Sequence, residues 1–401
     1  IMNRPAIFVL VLALVLAAGT AHSATLYVNH AATGANDGTS WSDAYTDLQA
    51  ALAAMSEGDE VWVATGTYYP TSTSDQNISF VLGGDRKMYG GFAGTETDIG
   101  QRDIEGNPTI LSGNINNPGE TYDNSAHVVW IDFPDSNTVF DGFTVQDGNA
   151  SSGSGHLLAH AGGGMAIDNM SLLDGSATIR NAVFRDNVAS RGGAVGVNGS
   201  YGGDLNSPIA FENVSFYDNT ATGQYASAWG GAIYSIDADV TLDRCVFQGG
   251  DAAYGGGACF EEGRVYIYNS LFHDNVAEYG GGLNTTLCAA TITNTTFTEN
   301  TATTLGGGIY VYQTIIGIVN TIISGNSAPT DTEIGYQMLP PNFSYSLIAG
   351  SGGSAAWDLS FGSDNGHNID VDPMFLDPDS DDFGLGDCSP AVNAGNDAAP
   401  G

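Results

Sequence analysis

Residues 266–283 (YIYNSLFHDNVAEYGGGL) and residues 291–310 (TITNTTFTENTATTLGGGIY) carry one shared pattern, and this pattern decides the fold. In each stretch, alternating apolar and polar residues lead to a phenylalanine, to an asparagine three positions later, and to a run of three glycines. Alternation with a period of two is typical of β-strands, and no part of the pattern keeps a helical period. The pattern therefore predicts short strands separated by glycine-rich turns.

The same pattern recurs on both sides of these stretches, which indicates a repeat protein. Phe247, Phe272 and Phe297 follow one another at steps of 25 residues, and the earlier steps are longer, as loops inserted at one corner would make them. One residue of each repeat should stack in an apolar column, namely Phe184, Phe216, Phe247, Phe272, Phe297 and Ile323. The asparagines that follow should form a ladder of side-chain amides at a turn that tolerates left-handed backbone, namely Asn187, Asn219, Asn275, Asn300 and Asn326.

Strands this short cannot bury a face alone, but they can bury it by coiling, with each repeat stacked on the next. We therefore predict an all-β fold, a right-handed parallel β-helix (solenoid) of roughly ten coils at the usual spacing of about 4.8 Å. The glycine runs should form tight corners with positive φ. A helix that opens at Thr46, with Gln49 in the capping-box position, should cover the first coil and end at Gly58.

The ends of the chain divide it further. Residues 1–23 are predicted to be a signal peptide, because Arg4 precedes an uncharged apolar run and Ala21-His22-Ser23 closes it; a membrane anchor is the alternative. Residues 24–59 should hold the first strand and the capping helix, and residues 60–370 the β-helix. No later stretch is apolar enough for a transmembrane segment. We expect the mature chain to be secreted or to lie on the outer cell surface.

Acidic residues dominate the composition: 45 aspartates and glutamates stand against 9 lysines and arginines, a formal net charge of −36. Such a surface repels the phosphate backbone, so we expect no nucleic-acid partner. It also fits poorly with anionic membranes and anionic polysaccharides. The four cysteines, Cys245, Cys259, Cys288 and Cys388, are enough for two disulfides whose pairing the sequence leaves open. They lack the spacing of a zinc site, and no cofactor is expected to be required.

Acidic residues stand at one offset in successive repeats, directly before the ladder position. This acidic column consists of Asp147, Asp186, Asp218, Asp274 and Glu299. Stacked carboxylates repel one another, so calcium between the coils is one interpretation, and carboxylates that only attract screening ions are the other. The same two interpretations apply to an acidic loop that contains Asp377, Asp379, Asp381 and Asp382.

Loops inserted into a solenoid are where a partner would bind. The longer insertions lie between Val145 and Phe184 and between Asn219 and Gly230. Candidate aromatic contacts for a partner or a glycan are Tyr201, Tyr225 and Trp229. His156 and His160 also lie in the first insertion, either as ordinary loop residues or as a metal or acid–base pair.

Phe-x-x-Asn followed by Gly-Gly-Ala-Ile or Gly-Gly-Gly-Ile resembles the repeats of chlamydial polymorphic outer membrane proteins. Residues 58–70 (GDEVWVATGTYYP) and 89–97 (YGGFAGTET) resemble the entry region of related secreted bacterial β-helix proteins. DPMF at 372–375 with SPAVNAG at 389–395 is similar to the end of a choice-of-anchor Q domain. That domain usually runs further, so we expect residues 371–401 to be the truncated C-terminal part of such a region. The resemblance implies the fold of the pectate lyase-like superfamily and export.

The resemblance is weak on activity, because this group is functionally heterogeneous. We favour a structural or adhesive role, or binding of a glycan or of a host or cell-surface protein, with no catalytic residues evident. A polysaccharide lyase or glycoside hydrolase is the alternative. It is disfavoured because no basic pair has the spacing of those enzymes among the basic residues after residue 23: Arg86, Lys87, Arg102, Arg180, Arg185, Arg191, Arg244 and Arg264.

Overall fold

Short parallel strands, stacked coil upon coil, make up most of the described chain. The computed structural model describes residues 23–115, 122–151, 157–169, 175–199, 208–223 and 228–399. The predicted all-β parallel β-helix is confirmed over these ranges. Residues 1–22 of the predicted signal peptide lie outside them, and no described helix is long and apolar enough to cross a membrane.

Two long parallel sheets run the length of the solenoid. Sheet 1 contains Thr25–Val28, Glu60–Ala64, Gly66–Tyr68, Lys87–Phe92, Thr109–Ser112, Val139–Asp141, Thr144–Gln146, Ala177–Arg185, Ile209–Tyr217, Val240–Asp243, Val246–Gln248, Arg264–Tyr268, Leu271–His273, Ala289–Thr293, Thr296–Thr298, Ile315–Val319, Ile322–Ile323, Asn342–Ser344, Leu347–Ile348 and Ser363–Asp364. Sheet 2 contains Phe80–Gly83, Val129–Asp132, Met165–Asp168, Val195–Asn198, Ile233–Ile236, Ala258–Glu261, Leu283–Thr286, Ile309–Tyr312 and Ile334–Gln337. Nine stacked strands in sheet 2 agree with roughly ten coils.

The remaining elements are short. One small parallel sheet contains Asn149–Ala150, Val188–Ala189 and Thr220–Ala221. A second contains Val276–Tyr279 and Thr301–Leu305. An antiparallel hairpin near the C-terminus contains Phe375–Asp377 and Asp382–Leu385. The described helices are the α-helix Leu48–Ala54 and the 3-10 turns Ile99–Gln101, Leu157–His160, Leu359–Phe361 and Pro378–Ser380.

The predicted apolar column is confirmed. Sheet 1 pairs its members directly from coil to coil, and Val145 and Ile348 extend the column at either end. The rings of Phe216, Phe247 and Phe272 stack with centroids 4.6 and 4.3 Å apart. All members of the column are fully buried. This stack is the centre of the hydrophobic core.

The predicted asparagine ladder is confirmed in two parts, from Asn187 to Asn219 and from Asn275 to Asn326, and Gly250 interrupts it between them. All five side chains are buried. Asn275 Nδ2 donates to Asn300 Oδ1 at 2.8 Å, and Asn300 Nδ2 donates to Asn326 Oδ1 at 2.9 Å. Glu333 ends the ladder, because its Oε2 accepts a hydrogen bond from Asn326 Nδ2 at 2.6 Å. Burial raises the pKa of the Glu333 carboxyl, although the Asn326 amide and nearby backbone N–H groups oppose the shift.

The sequence pattern suggested left-handed backbone at the ladder asparagine. In the structure, the left-handed residue is instead the acidic residue directly before it. Asp274 has φ 56° and Glu299 has φ 57°, and the other members of the acidic column are also left-handed. The ladder asparagines have no positive φ, and their buried amides reach the next coil, as from Asn275 to Asn300. The turn requires left-handed backbone at this position, and an aspartate can adopt it. The acidic residue therefore has a structural role here that is independent of cation binding.

The glycine runs serve two purposes. The first glycine of each run has the predicted positive φ, as in Gly255 at 64° and Gly280 at 65°. The second glycine is needed because the next coil lies too close for a side chain. A Cβ on Gly256 would lie 2.5 Å from the carbonyl oxygen of Gly281 and 2.5 Å from that of Val276.

Gly256→Ala should therefore lower the free energy of unfolding by about 1–3 kcal/mol, since backbone of the next coil must move away. Gly317→Ala is the matched control, because a Cβ there would meet no atom within 4 Å. It should be neutral or stabilising by less than about 1 kcal/mol. Urea unfolding followed by circular dichroism measures both. Equal losses for the two variants would contradict this account of the second glycine.

The N-terminal helix Leu48–Ala54 packs Leu48 and Ala51 into the core. The predicted cap is wrong: Asp47, not Thr46, is the N-cap, and its side chain accepts from the Gln49 N–H at 3.0 Å. The Thr46 hydroxyl instead donates to Asn36 Oδ1. The Gln49 amide does not return to the helix but donates to two loop carbonyls, so the capping box does not form.

The C-terminal part of the chain covers the last coil and then returns along the solenoid. Trp357 packs on Phe343 with ring centroids 5.5 Å apart, and Phe361 joins it against the core. Farther on, the N–H of Asn396 donates to Asn320 Oδ1 at 2.7 Å, and Asn320 Nδ2 donates to the Asn396 carbonyl. The final segment therefore lies against the flank of sheet 1.

All four cysteines are free, so the two disulfides that they could form are absent. The reason is that Cys245, Cys259 and Cys288 occupy three different columns of the coil, while Cys388 lies exposed in the C-terminal segment. Cys245 takes the place that Ser270 has one coil later, and its thiol donates to backbone carbonyls. Burial raises the pKa of the Cys245 and Cys288 thiols to about 12.

Candidate functional site

The residue before each glycine run forms a column on the outside of the corner. In three consecutive coils it is aromatic, and we call Trp229, Tyr254 and Tyr279 the aromatic strip. The Trp229 and Tyr254 centroids lie 5.8 Å apart, edge to face, and Tyr254 and Tyr279 stack at 5.0 Å. All three rings are half-buried, so part of each remains open to solvent.

Charged side chains lie at one end of the aromatic strip. The guanidinium of Arg191 lies 5.3 Å from the ring centroids of both Trp229 and Tyr234. The Tyr234 hydroxyl donates to Glu261 Oε2 at 2.8 Å. Burial raises the pKa of the Glu261 carboxyl, whereas the Tyr234 hydroxyl and the Arg191 charge lower it. A cation, a carboxylate and an aromatic face therefore meet within one corner.

Two buried polar atoms at this end have no hydrogen-bond partner within the described ranges: Trp229 Nε1 and His160 Nδ1. His160 is adjacent because its carbonyl accepts from the Arg191 N–H at 3.1 Å. Buried polar groups nearly always find a partner, so each such atom needs an explanation. These two atoms mark the Arg191 end of the aromatic strip as a place where buried polar groups lack a partner among the described residues.

Of the three predicted aromatic contacts, the structure places Trp229 in the aromatic strip. Tyr201 and Tyr225 lie outside the described residues, as does His156. Sequence reasoning missed Arg191, Tyr254 and Tyr279. The signal was present, since the residue directly before the glycine run is aromatic in three successive repeats.

The acidic column falls into two groups, because Gly249 takes the acidic position in the coil between Asp218 and Asp274. In the first group, burial and the neighbouring Asp147 and Asp218 raise the pKa of Asp186, while Arg185 opposes the shift. Asp147 also accepts hydrogen bonds from the Ser112 hydroxyl and the Gln146 amide, both at 2.8 Å. Calcium binding along the column stays a prediction.

The second group of the acidic column, Asp274 and Glu299, lies next to the predicted acidic loop. The sequence did not indicate this contact. His273 Nδ1 lies 2.9 Å from Asp274 Oδ2 and 3.8 Å from Asp381 Oδ1. Gln248 Nε2 donates to Asp381 Oδ2 at 3.2 Å, and the Phe383 ring packs on the His273 ring at 5.1 Å.

The other members of the acidic loop differ in their surroundings. Burial is the main cause of a raised pKa at Glu299, and Asp274, Asp381 and Asp379 add to it. Asp377 and Asp382 stand at the two hairpin strands. Among the four loop aspartates, Asp379 and Asp381 are therefore the ones whose charges raise the pKa of Glu299 in the acidic column.

A groove of about 440 Å³ lies elsewhere, between residues 104–109 and sheet 1, and is lined in part by Thr144, Asn181 and Asn213. At its side, Arg102 Nη2 and Arg180 Nε both lie 2.9 Å from Oδ2 of Asp141, which is fully buried. Asn181 Nδ2 donates to the other oxygen of the same carboxylate. This pairing of two arginines, distant in sequence, was not predicted, and the buried carboxylate partly neutralises both.

Comparison with known proteins supports the fold. Residues 213–236 and 294–312 match the Chlamydia polymorphic membrane protein repeat, which confirms the predicted resemblance for these two stretches. No curated protein matches the chain. The resemblance of residues 371–401 to a choice-of-anchor Q region stays a prediction.

Solved structures resemble the chain over most of its length. The crystal structure of pectate lyase Pel9A has a TM-score of 0.56 and 14% identity, and the match covers 93% of this chain and 92% of that one. A rhamnogalacturonan lyase has a TM-score of 0.45 and 13% identity, with 88% and 91% covered. At such identities the first likeness shows the fold alone, a right-handed β-helix of the pectate lyase-like type, and the second carries no argument.

Proposed function

We propose that the chain is a secreted or cell-surface β-helix protein that binds a neutral extracellular glycan along the aromatic strip. The observation that carries the proposal is the column of half-exposed rings in successive coils, with a cation and a carboxylate at one end. Tyr254 and Tyr279 stack face to face, so their edges and not their faces are what a sugar chain can contact. Aromatic edges supply apolar contact area, and tyrosine hydroxyls can hydrogen-bond sugar hydroxyls. Charged and amide groups at the edge can then bond the sugar hydroxyls.

The charge of the protein supports a neutral ligand. A net charge of −36 repels polyanions such as pectate, and no such penalty applies to an uncharged polysaccharide. The repeat of the coils adds a second argument. The three rings, with centroids 5.8 and 5.0 Å apart, follow one direction, so an extended chain can contact several of them at once.

Tyr254→Ala and Tyr279→Ala test the proposal. Each lost ring should weaken binding of the recognised neutral polysaccharide about tenfold, which corresponds to about 1.4 kcal/mol. Tyr266→Ala is the control, because Tyr266 is also half-buried but lies on sheet 1, away from the aromatic strip. Binding is measured by calorimetry after a screen of neutral and acidic polysaccharides.

Two results would contradict the proposal. One is equal weakening by Tyr266→Ala, with all variants folded by circular dichroism. The other is turnover of any polysaccharide in that screen, seen as unsaturated products or new reducing ends with or without calcium. Loss of such turnover in Arg180→Ala would favour the alternative, an enzyme that uses the groove beside Asp141.

A further inference from the structure

We infer that His273, Asp274 and Asp381 form a binding site for one divalent transition-metal ion, which fastens the C-terminal hairpin to the solenoid. One nitrogen of the imidazole and one oxygen of each carboxylate all lie within 4.8 Å of one another. His273 ends a strand of sheet 1 and Asp274 follows it, whereas Asp381 lies in the turn of the hairpin. The site therefore joins two segments more than one hundred residues apart.

The histidine distinguishes this group from an ordinary acidic patch. Its side chain is only 2% exposed, and its Nδ1 faces both carboxylates. The Phe383 ring covers the imidazole from the hairpin side. The buried ring thus holds its Nδ1 close to both carboxylate oxygens, which places three possible ligand atoms near enough to share one ion.

The electrostatics of the site call for a cation. Glu299 and Asp379 add negative charge next to Asp274 and Asp381. Among the described residues, no lysine or arginine forms an ion pair with Asp274 or Asp381. The docked hairpin thus brings like charges together, and a dication between them would turn this repulsion into attraction.

The ligand atoms select the kind of metal. Calcium and magnesium take oxygen ligands, whereas an imidazole nitrogen with carboxylate oxygens suits zinc, manganese or iron(II). This interpretation differs from the calcium that the carboxylates alone suggest. Asp274 and Asp381 are 44% and 54% exposed, so both can rotate toward an ion and leave room for water as a further ligand.

The experiment uses tag-free protein, treated with a chelator and then exchanged into chelator-free buffer. Titration with Zn²⁺ by calorimetry, and with Co²⁺ by its visible absorption, should give one site per chain. His273→Gln and Asp381→Asn should each weaken binding at least tenfold. Asp218→Asn is the matched control, since Asp218 has the same left-handed position in the acidic column but follows Tyr217 instead of a histidine. It should leave binding unchanged within twofold.

A second readout tests the fastening of the hairpin. Bound Zn²⁺ should slow hydrogen exchange in residues 371–399 of the unaltered protein and should have no such effect in Asp381→Asn. Asp381 is exposed, so this variant folds even if the buried His273 tolerates no substitution. Absence of a site tighter than millimolar, equal affinity in Asp381→Asn, or a preference for Ca²⁺ over Zn²⁺ would each overturn the inference.

Discussion

Replacing Phe247 with alanine should lower the free energy of unfolding by about 3–5 kcal/mol, one of the two largest losses that we expect from a single substitution in this chain. The ring is fully buried and stacks between Phe216 and Phe272, with centroids 4.6 and 4.3 Å away. Removing it takes contacts from both neighbouring coils and leaves a cavity in the middle of the column. The coils cannot close that cavity, because backbone hydrogen bonds in sheet 1 hold their spacing.

Ile315→Ala is the control for this substitution. Ile315 also belongs to sheet 1, but its side chain is 69% exposed, and we expect a change within about 0.5 kcal/mol. Chemical unfolding is followed by circular dichroism and by tyrosine and tryptophan fluorescence, so that separate unfolding of coils would be visible. Similar losses in the two variants would show that the phenylalanine column is not the centre of the core.

Asn300→Asp should destabilise the protein by about 3 kcal/mol or more, because it removes the donors of a buried amide. Asn300 Nδ2 donates to Asn326 Oδ1 at 2.9 Å and to the carbonyls of Phe272 and Thr298 at 2.8 and 3.0 Å. A carboxylate of the same shape would direct an oxygen at these three acceptors, and it would carry a buried charge. Each unsatisfied buried group costs about 1–3 kcal/mol.

Asn294→Asp makes the same chemical change six positions earlier. The Asn294 side chain belongs to an exposed series, in which Asn294 Nδ2 donates to Asn269 Oδ1 at 3.1 Å and Asn294 Oδ1 accepts from Asn320. Water can replace these bonds, so we expect a loss below about 1 kcal/mol. Denaturation midpoints of the two variants at neutral pH give the comparison. If the exposed variant lost as much as the buried one, burial of the ladder would not be the source of its stability.

The columns of the solenoid could be predicted because each is written in the sequence once per coil. Phe272 and Asn275 have the same spacing as Phe297 and Asn300, and parallel strands in register place equivalent residues above one another. A slip by one residue would turn every phenylalanine to the solvent face. The periodic pattern therefore determines by itself which side chains are inside, how many coils there are and where the glycine corners lie.

Contacts outside the repeat could not be predicted in the same way. Whether Asp47 or Thr46 caps the helix depends on Asn36, a loop residue that takes the Thr46 hydroxyl. The pairing of Arg102 and Arg180 with Asp141 depends on how the loop before residue 109 returns to sheet 1. Loops follow no period, so the sequence carries no signal of where they turn.

The sequence alone thus determined a coiled stack of strands with an apolar column, an amide ladder and an acidic column, because these follow from one local pattern repeated at constant register. Only the tertiary structure decided that the turn with Asp381 returns to His273 and Asp274. This contact depends on where the chain goes after leaving the repeat. Long-range packing, and not periodicity, brings those charges together.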